Sequence, residues 1–237
     1  MTERSIKRGK LVYLNFSNGD MKVFGGEHFS FTLLSGGSLI QRAQCHIAES
    51  LTVERDSVFA LDNNFRPTDA YMRIETNGSF TGTGLYHFSE REATCDAFTA
   101  RDGRVTYRQS IGPGAFPFCS HAIVGDAWMI AAGAPDKDNT RSATTLLTST
   151  LNKQGAAGPA LLAIPYGIER VGEEIITVPA GTFETIHYKC GTVDMNHQLD
   201  KADFQYNMWL TKDDFCLAVK SEYPGRNRFE LIELEDN

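Results

Sequence analysis

Short segments in which apolar and polar side chains alternate run along most of this chain, broken at close intervals by turn-forming residues. The segments are rich in Val, Ile, Thr, Phe and Tyr. Between them stand Ser17-Asn18-Gly19-Asp20, Ser35-Gly36-Gly37, Asn77-Gly78, Asp102-Gly103, Pro179-Ala180-Gly181 and Pro224-Gly225. A period of two puts one set of side chains on each face of a strand, and short strands separated by such turns build antiparallel sandwiches or barrels. Helical periodicity is scarce. One helix is expected, with Ser120 as its N-cap, His121 to Ala132 as its body and Gly133 at its end, weakened by Gly125. The Thr-rich stretch from Arg141 to Leu151 reads as strand, because β-branched side chains lose rotamer freedom in a helix. No repeat or low-complexity linker divides the chain, and Gly155-Ala-Ala-Gly-Pro159 reads as a loop between two halves of one sheet system. The expectation is therefore all-β: residues 1–237 as a single domain, a curved antiparallel half-barrel or barrel with a lipocalin-like cavity and one or two short helices.

Two hairpins can be registered from their turns. A two-residue Asn77-Gly78 turn pairs Asp69, Tyr71, Arg73 and Glu75 with Tyr86, Gly84, Gly82 and Phe80, leaving Ala70, Met72 and Ile74 on the other face. Large polar side chains then stand across from glycines, which mark a close backbone approach or a space filled by something else. Lining a cavity, that face is a polar wall with an anion-binding guanidinium; facing water, it is a salt-bridged ladder worth little energy. An Asp102-Gly103 turn pairs Ala100, Phe98 and Asp96 with Val105, Tyr107 and Gln109. That apolar face is expected to point inward and to carry Asp96 with it, where the carboxyl needs a partner or a proton.

Composition narrows the function classes. The 237 residues are 41% hydrophobic and 22% charged, as in a folded globular protein. A net charge of -7 supplies no basic field for nucleic acid. No apolar run of about 20 residues suggests a membrane span. The charged opening Met1-Thr-Glu-Arg-Ser-Ile-Lys-Arg-Gly-Lys10 is unlike a signal peptide, so a cytoplasmic location is expected. The cysteines (Cys45, Cys95, Cys119, Cys190, Cys216) are odd in number with no Cys-x-x-Cys pair, and read as reduced, mostly buried thiols. Gly82-Thr-Gly84 lies within a strand rather than at a strand-to-helix turn, and no P-loop, His-Glu-x-x-His, Gly-x-Ser-x-Gly or EF-hand motif occurs, so no cofactor is expected. No metal is expected either: Asp194-Met-Asn-His197 offers at most two ligands from one turn, and the other histidines are dispersed.

His121 is the leading candidate for proton transfer. It follows the Gly/Pro/aromatic loop Gly112–Ser120, precedes Asp126 and Trp128, and belongs to the one side-chain type whose ordinary pKa lies near neutrality. Asp96 and Glu75 are alternative bases, and Arg73 with Tyr71 is the candidate pair for stabilising an oxyanion. Tyr86, Tyr107, Trp128 and Arg66, the last in Asn63-Asn-Phe-Arg-Pro67, are candidate substrate contacts beside them. Fifteen Phe, eight Tyr and two Trp fit an apolar ligand pocket, and fit a thick sandwich core equally well.

The run Gly172-Glu-Glu-Ile-Ile-Thr-Val-Pro-Ala-Gly-Thr-Phe183 with Glu-Thr-Ile-His-Tyr after it, Met208-Trp-Leu-Thr-Lys-Asp-Asp-Phe-Cys-Leu-Ala-Val-Lys220 and Phe229-Glu-Leu-Ile-Glu-Leu234 carry a resemblance. Together, over roughly residues 165–235, they resemble a bacterial domain-of-unknown-function family of antiparallel β half-barrels similar to the lipoprotein-localisation factors. The resemblance implies a hollow curved sheet reused for a small molecule and transfers no catalytic residue. Two functions follow as expectations. One is a cofactor-independent lyase or isomerase acting by acid–base proton transfer, such as dehydration or retro-aldol loss of formaldehyde, on an aromatic or hydrophobic substrate held in the cavity. The alternative is a non-catalytic carrier of a hydrophobic small molecule or lipid. A filled core with a protein partner is a third possibility, and sheet edges offer a route to a homodimer.

Overall fold

The computed structural model describes residues 4–17, 20–112, 116–136 and 138–236; the expected turn at Asn18-Gly19 and the loop residues Pro113 to Ala115 lie outside the described residues. The chain opens as a meander. β1 (Arg4–Ser17), β2 (Asp20–Leu34), β3 (Leu39–Ala48), β4 (Thr52–Leu61), β5 (Pro67–Thr76), β6 (Ser79–Phe88), β7 (Glu92–Thr99) and β8 (Gly103–Ser110) each pair with the next. It then crosses to the opposite edge through β9 (Phe118–Cys119) and α1 (Ile123–Gly133). It returns through β10 (Arg141–Thr148), β11 (Leu162–Val178), β12 (Gly181–Thr192), β13 (Tyr206–Thr211), β14 (Ala218–Tyr223) and β15 (Asn227–Asp236). β15 pairs with β1, so fifteen strands form one sheet that runs from β8 to β1 and on from β15 to β9. Every ladder is antiparallel except the short β9–β10 pairing. The all-β, curved antiparallel architecture expected from the alternation is the one that forms.

The sheet's inner face is covered by the crossover. Trp128 of α1 is fully buried, stacked on Phe31 with centroids 5.0 Å apart and tilted against Phe59 at 5.8 Å. Phe118 packs among Phe59, Tyr86 and Phe88 at 5.4, 5.1 and 5.0 Å. The segment after β10 forms a strap over β5 and β6. The Thr76 hydroxyl donates to the Ala156 carbonyl at 3.1 Å and the Tyr86 hydroxyl to the Ala160 carbonyl at 2.9 Å. Gly82 and Gly84 let the strap approach: a Cβ on either would come within 2.7–2.8 Å of the Pro159 ring. Part of the aromatic content therefore packs the sheet against its own crossover.

Both registers expected from the turns need correction. Asn77-Gly78 does make a two-residue turn, with φ of 52 and 71° and with Glu75 opposite Phe80. Thr81 is then an extra residue in β6, and beyond it every pair moves by one: Arg73 faces Thr83, Met72 faces Gly84 and Tyr71 faces Leu85. The slip moves Gly82 and Gly84 from the face of Arg73 and Tyr71 to the face of Ile74 and Met72. That shared face is the core one, with Ala70, Met72 and Ile74 buried, and Tyr71 and Arg73 point outward. The second turn holds three residues rather than two: Thr99 pairs with Gly103, whose φ is 69°. This sends Ala93, Cys95 and Ala97 inward with Val105, Tyr107 and Gln109, and sends Asp96 outward, where it accepts a bond from the Thr106 hydroxyl at 2.6 Å. Helix α1 begins at Ile123 rather than His121, and its N-cap Ala122 has no side-chain cap.

Candidate functional site

The helix start is capped from across the chain. Glu27, 1% exposed on the inner face of β2, accepts the Ile123 and Val124 amides at 2.9 and 3.0 Å on its two carboxylate oxygens. These amides are orphan donors of the first turn, and the positive end of the helix favours an anion there. The Tyr13 hydroxyl at 2.6 Å and the Cys45 thiol at 3.2 Å donate to the same carboxylate. Burial nevertheless raises the Glu27 pKa, against the lowering effect of those four bonds. Beside it Arg55, 3% exposed, donates through Nη1 to the His121 carbonyl at 2.7 Å and through Nη2 to the Gln154 carbonyl at 2.8 Å. Arg55 thereby ties His121 and the strap to β4. His121 has a φ of 62°, an unusual conformation for a non-glycine residue and one that this clamp helps to hold.

A line of polar side chains crosses the first turn of α1. Cys119 Sγ lies 3.4 Å from both His121 Nδ1 and Asp126 Oδ1. The Ser149 hydroxyl is 3.3 Å from His121 Nδ1, and the Tyr206 hydroxyl lies 3.3 Å from Asp126 Oδ2 and 3.2 Å from Ser221 Oγ. His121 and Asp126 are half-buried, whereas Cys119, Ser149 and Tyr206 are buried. Their surroundings drive the two titratable groups apart. Burial, helped by the nearby Glu27 charge, pushes the Asp126 carboxyl up to about 7, against bonds from Cys119 and Tyr206. Burial and the Arg55 charge push the His121 imidazole down to about 3. The Cys119 thiol is held well above its ordinary value by burial and by Asp126, so it is a proton-bearing link rather than a thiolate nucleophile.

The other candidates stand elsewhere. Arg73 is ion-paired with Glu75 and lies over the Phe80 ring at 5.2 Å, on the outer face beside exposed Tyr71. Asp96 is outside as well. Trp128 is core, its indole N–H donating to the Phe215 carbonyl at 2.8 Å, and Tyr86 is core beneath the strap. Tyr107 is half-buried on the inner face of edge strand β8. Arg66 donates to the Ser89 carbonyl at 2.5 Å and lies over Phe116 at 5.1 Å, bracing the loops at that end of the sheet. Of the candidate site residues read in the sequence, His121 alone joins the polar line; Asp126, named there only as its neighbour, is the second titratable group in it. Cys119 was expected only as a buried thiol, and Glu27, Arg55, Ser149 and Tyr206 were not expected at a site. Arg55 left a signal, since it occupies the inward phase shared by Val53, Ser57 and Phe59 in β4. No group of three or more His, Cys, Asp or Glu side chains among the described residues is placed to hold a metal ion.

No family model matches the sequence, and no curated protein matches it. Among solved structures, the chain is similar over 100% of both lengths to a β-barrel-like protein of the domain of unknown function DUF1849 from Brucella abortus, with a TM-score of 0.59 and 9% identity. A DUF1089 family protein from Pseudomonas aeruginosa aligns over 84% of this chain and 89% of its own, with a TM-score of 0.47 and 11% identity. At 9% identity the first likeness establishes a shared β-barrel-like fold and nothing about activity.

Proposed function

We propose that this chain is a small-molecule enzyme that moves protons without a redox cofactor, acting on an enolisable carbonyl compound of hydrophobic or aromatic character. The reading rests on one observation: a carboxyl that keeps its proton to about 7 and an imidazole that stays neutral down to about 3, each 3.4 Å from the same thiol. Environments that split two titratable groups in this way assign their roles. Asp126 is matched to neutral pH and serves as general base and then general acid, taking a proton from the carbon next to the carbonyl and returning it to the same or a neighbouring carbon. Neutral His121 donates a hydrogen bond to the carbonyl oxygen as negative charge gathers there. Tyr206 orients the Asp126 carboxyl. Return of the proton to a neighbouring carbon is an isomerisation, and loss of a β-hydroxyl from the enolate is a dehydration.

The test is hydrogen exchange. A panel of aryl and alkyl ketones and aldehydes is incubated with the protein in deuterated buffer, and label uptake is read by mass spectrometry. Uptake is expected to rise with pH through about 7, where Asp126 ionises. Asp126→Asn is expected to lose roughly 100-fold or more of it, the usual worth of a general base. Tyr71→Phe and Arg73→Ala should keep it. Uptake no faster than in buffer across the panel, or full uptake in Asp126→Asn, overturns the reading.

A second reading, a carrier of a hydrophobic small molecule, is favoured by an open groove of about 680 Å³ lined by Leu33, Leu34, Leu39, Phe65, Asn63 and Asp214. Apolar walls with a few polar anchors suit such a ligand. An environment-sensitive fatty-acid probe should bind the protein and be lost from Leu34→Asp. Equal binding by the variant removes this groove as the carrier site.

A further inference from the structure

Three side chains beneath α1 are buried more completely than His121 and Asp126 and have no bonding partner among the described residues. Gln41, Ser57 and Ser120 are 0%, 3% and 0% exposed. Gln41 Nε2 and Oε1, Ser57 Oγ and Ser120 Oγ have no hydrogen-bond partner among the described residues. Gln41 and Ser120 meet at the first turn of α1, and Ser57 stands next to Gln41 on the sheet. Gln41 and Ser57 share the inner face of β3 and β4 as diagonal neighbours, because Ala43 pairs with Ser57 and Gln41 with Phe59. Ser120 follows β9 directly. Gly125 in the first turn of α1 closes the place from above: a Cβ there would stand 2.3 Å from Ser120 Oγ and 3.4 and 3.5 Å from Gln41 Nε2 and Oε1. A glycine inside a helix is unfavourable, and this contact is the reason it is there.

We propose that this socket binds one internal water molecule, held by the Gln41 amide and the Ser120 hydroxyl and completed by Ser57. The chemistry of the four orphan atoms selects the ligand. The Gln41 amide offers donors and an acceptor, and each serine hydroxyl does either, which matches a small neutral molecule that both donates and accepts. A cation would find no anionic ligand among these three residues. An apolar occupant would leave the orphans as they are, and buried polar groups in native proteins are as a rule bonded to protein or to ordered water. An internal water makes about three such bonds, and these residues can supply them.

Two measurements test this together. A high-resolution crystal structure should show a water peak within hydrogen-bond distance of Gln41 and Ser120, and the peak should vanish in Ser120→Ala. Gln41→Met keeps the volume and deletes both polar atoms, so its thermal midpoint reports whether those atoms were bonded. In a hydrated socket the midpoint falls, by about 2–4 °C for a chain of this size. In a dry socket it rises, because removing unbonded buried polar atoms removes the desolvation cost of burying them. Ser120→Ala, the smaller change, should move the same way as Gln41→Met. A rise in either midpoint, or an empty socket in the unaltered protein, overturns the proposal.

Discussion

Burial disfavours charge, and so it acts on Asp126 and His121 in opposite directions as pH changes. The folded chain keeps the Asp126 proton up to about 7, against 3.8 for an unperturbed carboxyl, so rising pH across that interval lowers stability. The folded chain protonates His121 only near 3, against 6.5 unperturbed, so rising pH across that interval raises stability. Between pH 3.8 and 6.5 the two effects oppose each other. Glu27, whose pKa is also raised, adds to the falling side in every variant, so each variant is judged against the unaltered protein. Relative to it, Asp126→Asn should gain stability as pH rises through this window, and His121→Gln should lose it. Urea midpoints at a series of pH values check both. Parallel profiles for all three proteins would show that neither group is buried as described. His121 was legible in the sequence because it is the residue type that titrates near neutrality. Its depressed pKa was not, since that depends on burial in the fold and then on Arg55, which is 66 residues away in the chain.

The start of α1 shows how an element can be visible while its cause is not. Ser120 satisfies the local rule for an N-cap, yet the capping anion is Glu27, 96 residues from Ile123. Local rules also found Asn77-Gly78, and they missed the extra residue Thr81 because nothing near it in sequence demands a bulge. The reason lies in the strap: Pro159 sits on Gly82 and Gly84, which must therefore face inward. Asp96 was misplaced for a similar reason, the Asp102-Gly103 signal fitting a two-residue and a three-residue turn alike. These causes make distinct forecasts. Glu27→Ala leaves two helix amides and the Tyr13 hydroxyl buried without an acceptor, at about 1–3 kcal/mol for each orphaned donor, so a loss of about 3 kcal/mol or more in urea unfolding is expected. Glu27→Gln keeps acceptor capacity and should lose less. Arg73→Ala removes an ion pair and a contact with the Phe80 ring, both on the outer face, and should stay within about 1 kcal/mol of the unaltered protein. If Arg73→Ala costs as much as Glu27→Ala, the assignment of inner and outer faces is wrong.

At the scale of the whole molecule, the first and last strands meet in the middle of the sheet rather than at its edges. β1 and β15 pair from Lys7–Asp236 to Asn15–Asn227, and Phe229 of β15 packs edge-on against Tyr13 at 4.9 Å and against Phe24 at 6.2 Å. Tyr13 in turn donates to Glu27, which caps α1, and the first turn of α1 carries Asp126. Removing β15 should therefore do more than fray an edge. It exposes the ladder side of β1, takes the buried Leu231 out of the core, opens the aromatic cluster and loosens the residue that holds the cap. A chain truncated after Arg226 is expected to lose its cooperative urea transition and to bind a hydrophobic dye strongly, although β2 to β8 remain intact in sequence. Alternation and turn residues could announce the strands, but they could not announce this pairing, because no local rule relates Tyr13 to Phe229. Should the truncated chain unfold in one cooperative step with near-native aromatic circular dichroism, the two halves are independent units, and the β1–β15 junction is a contact between them rather than the centre of one fold.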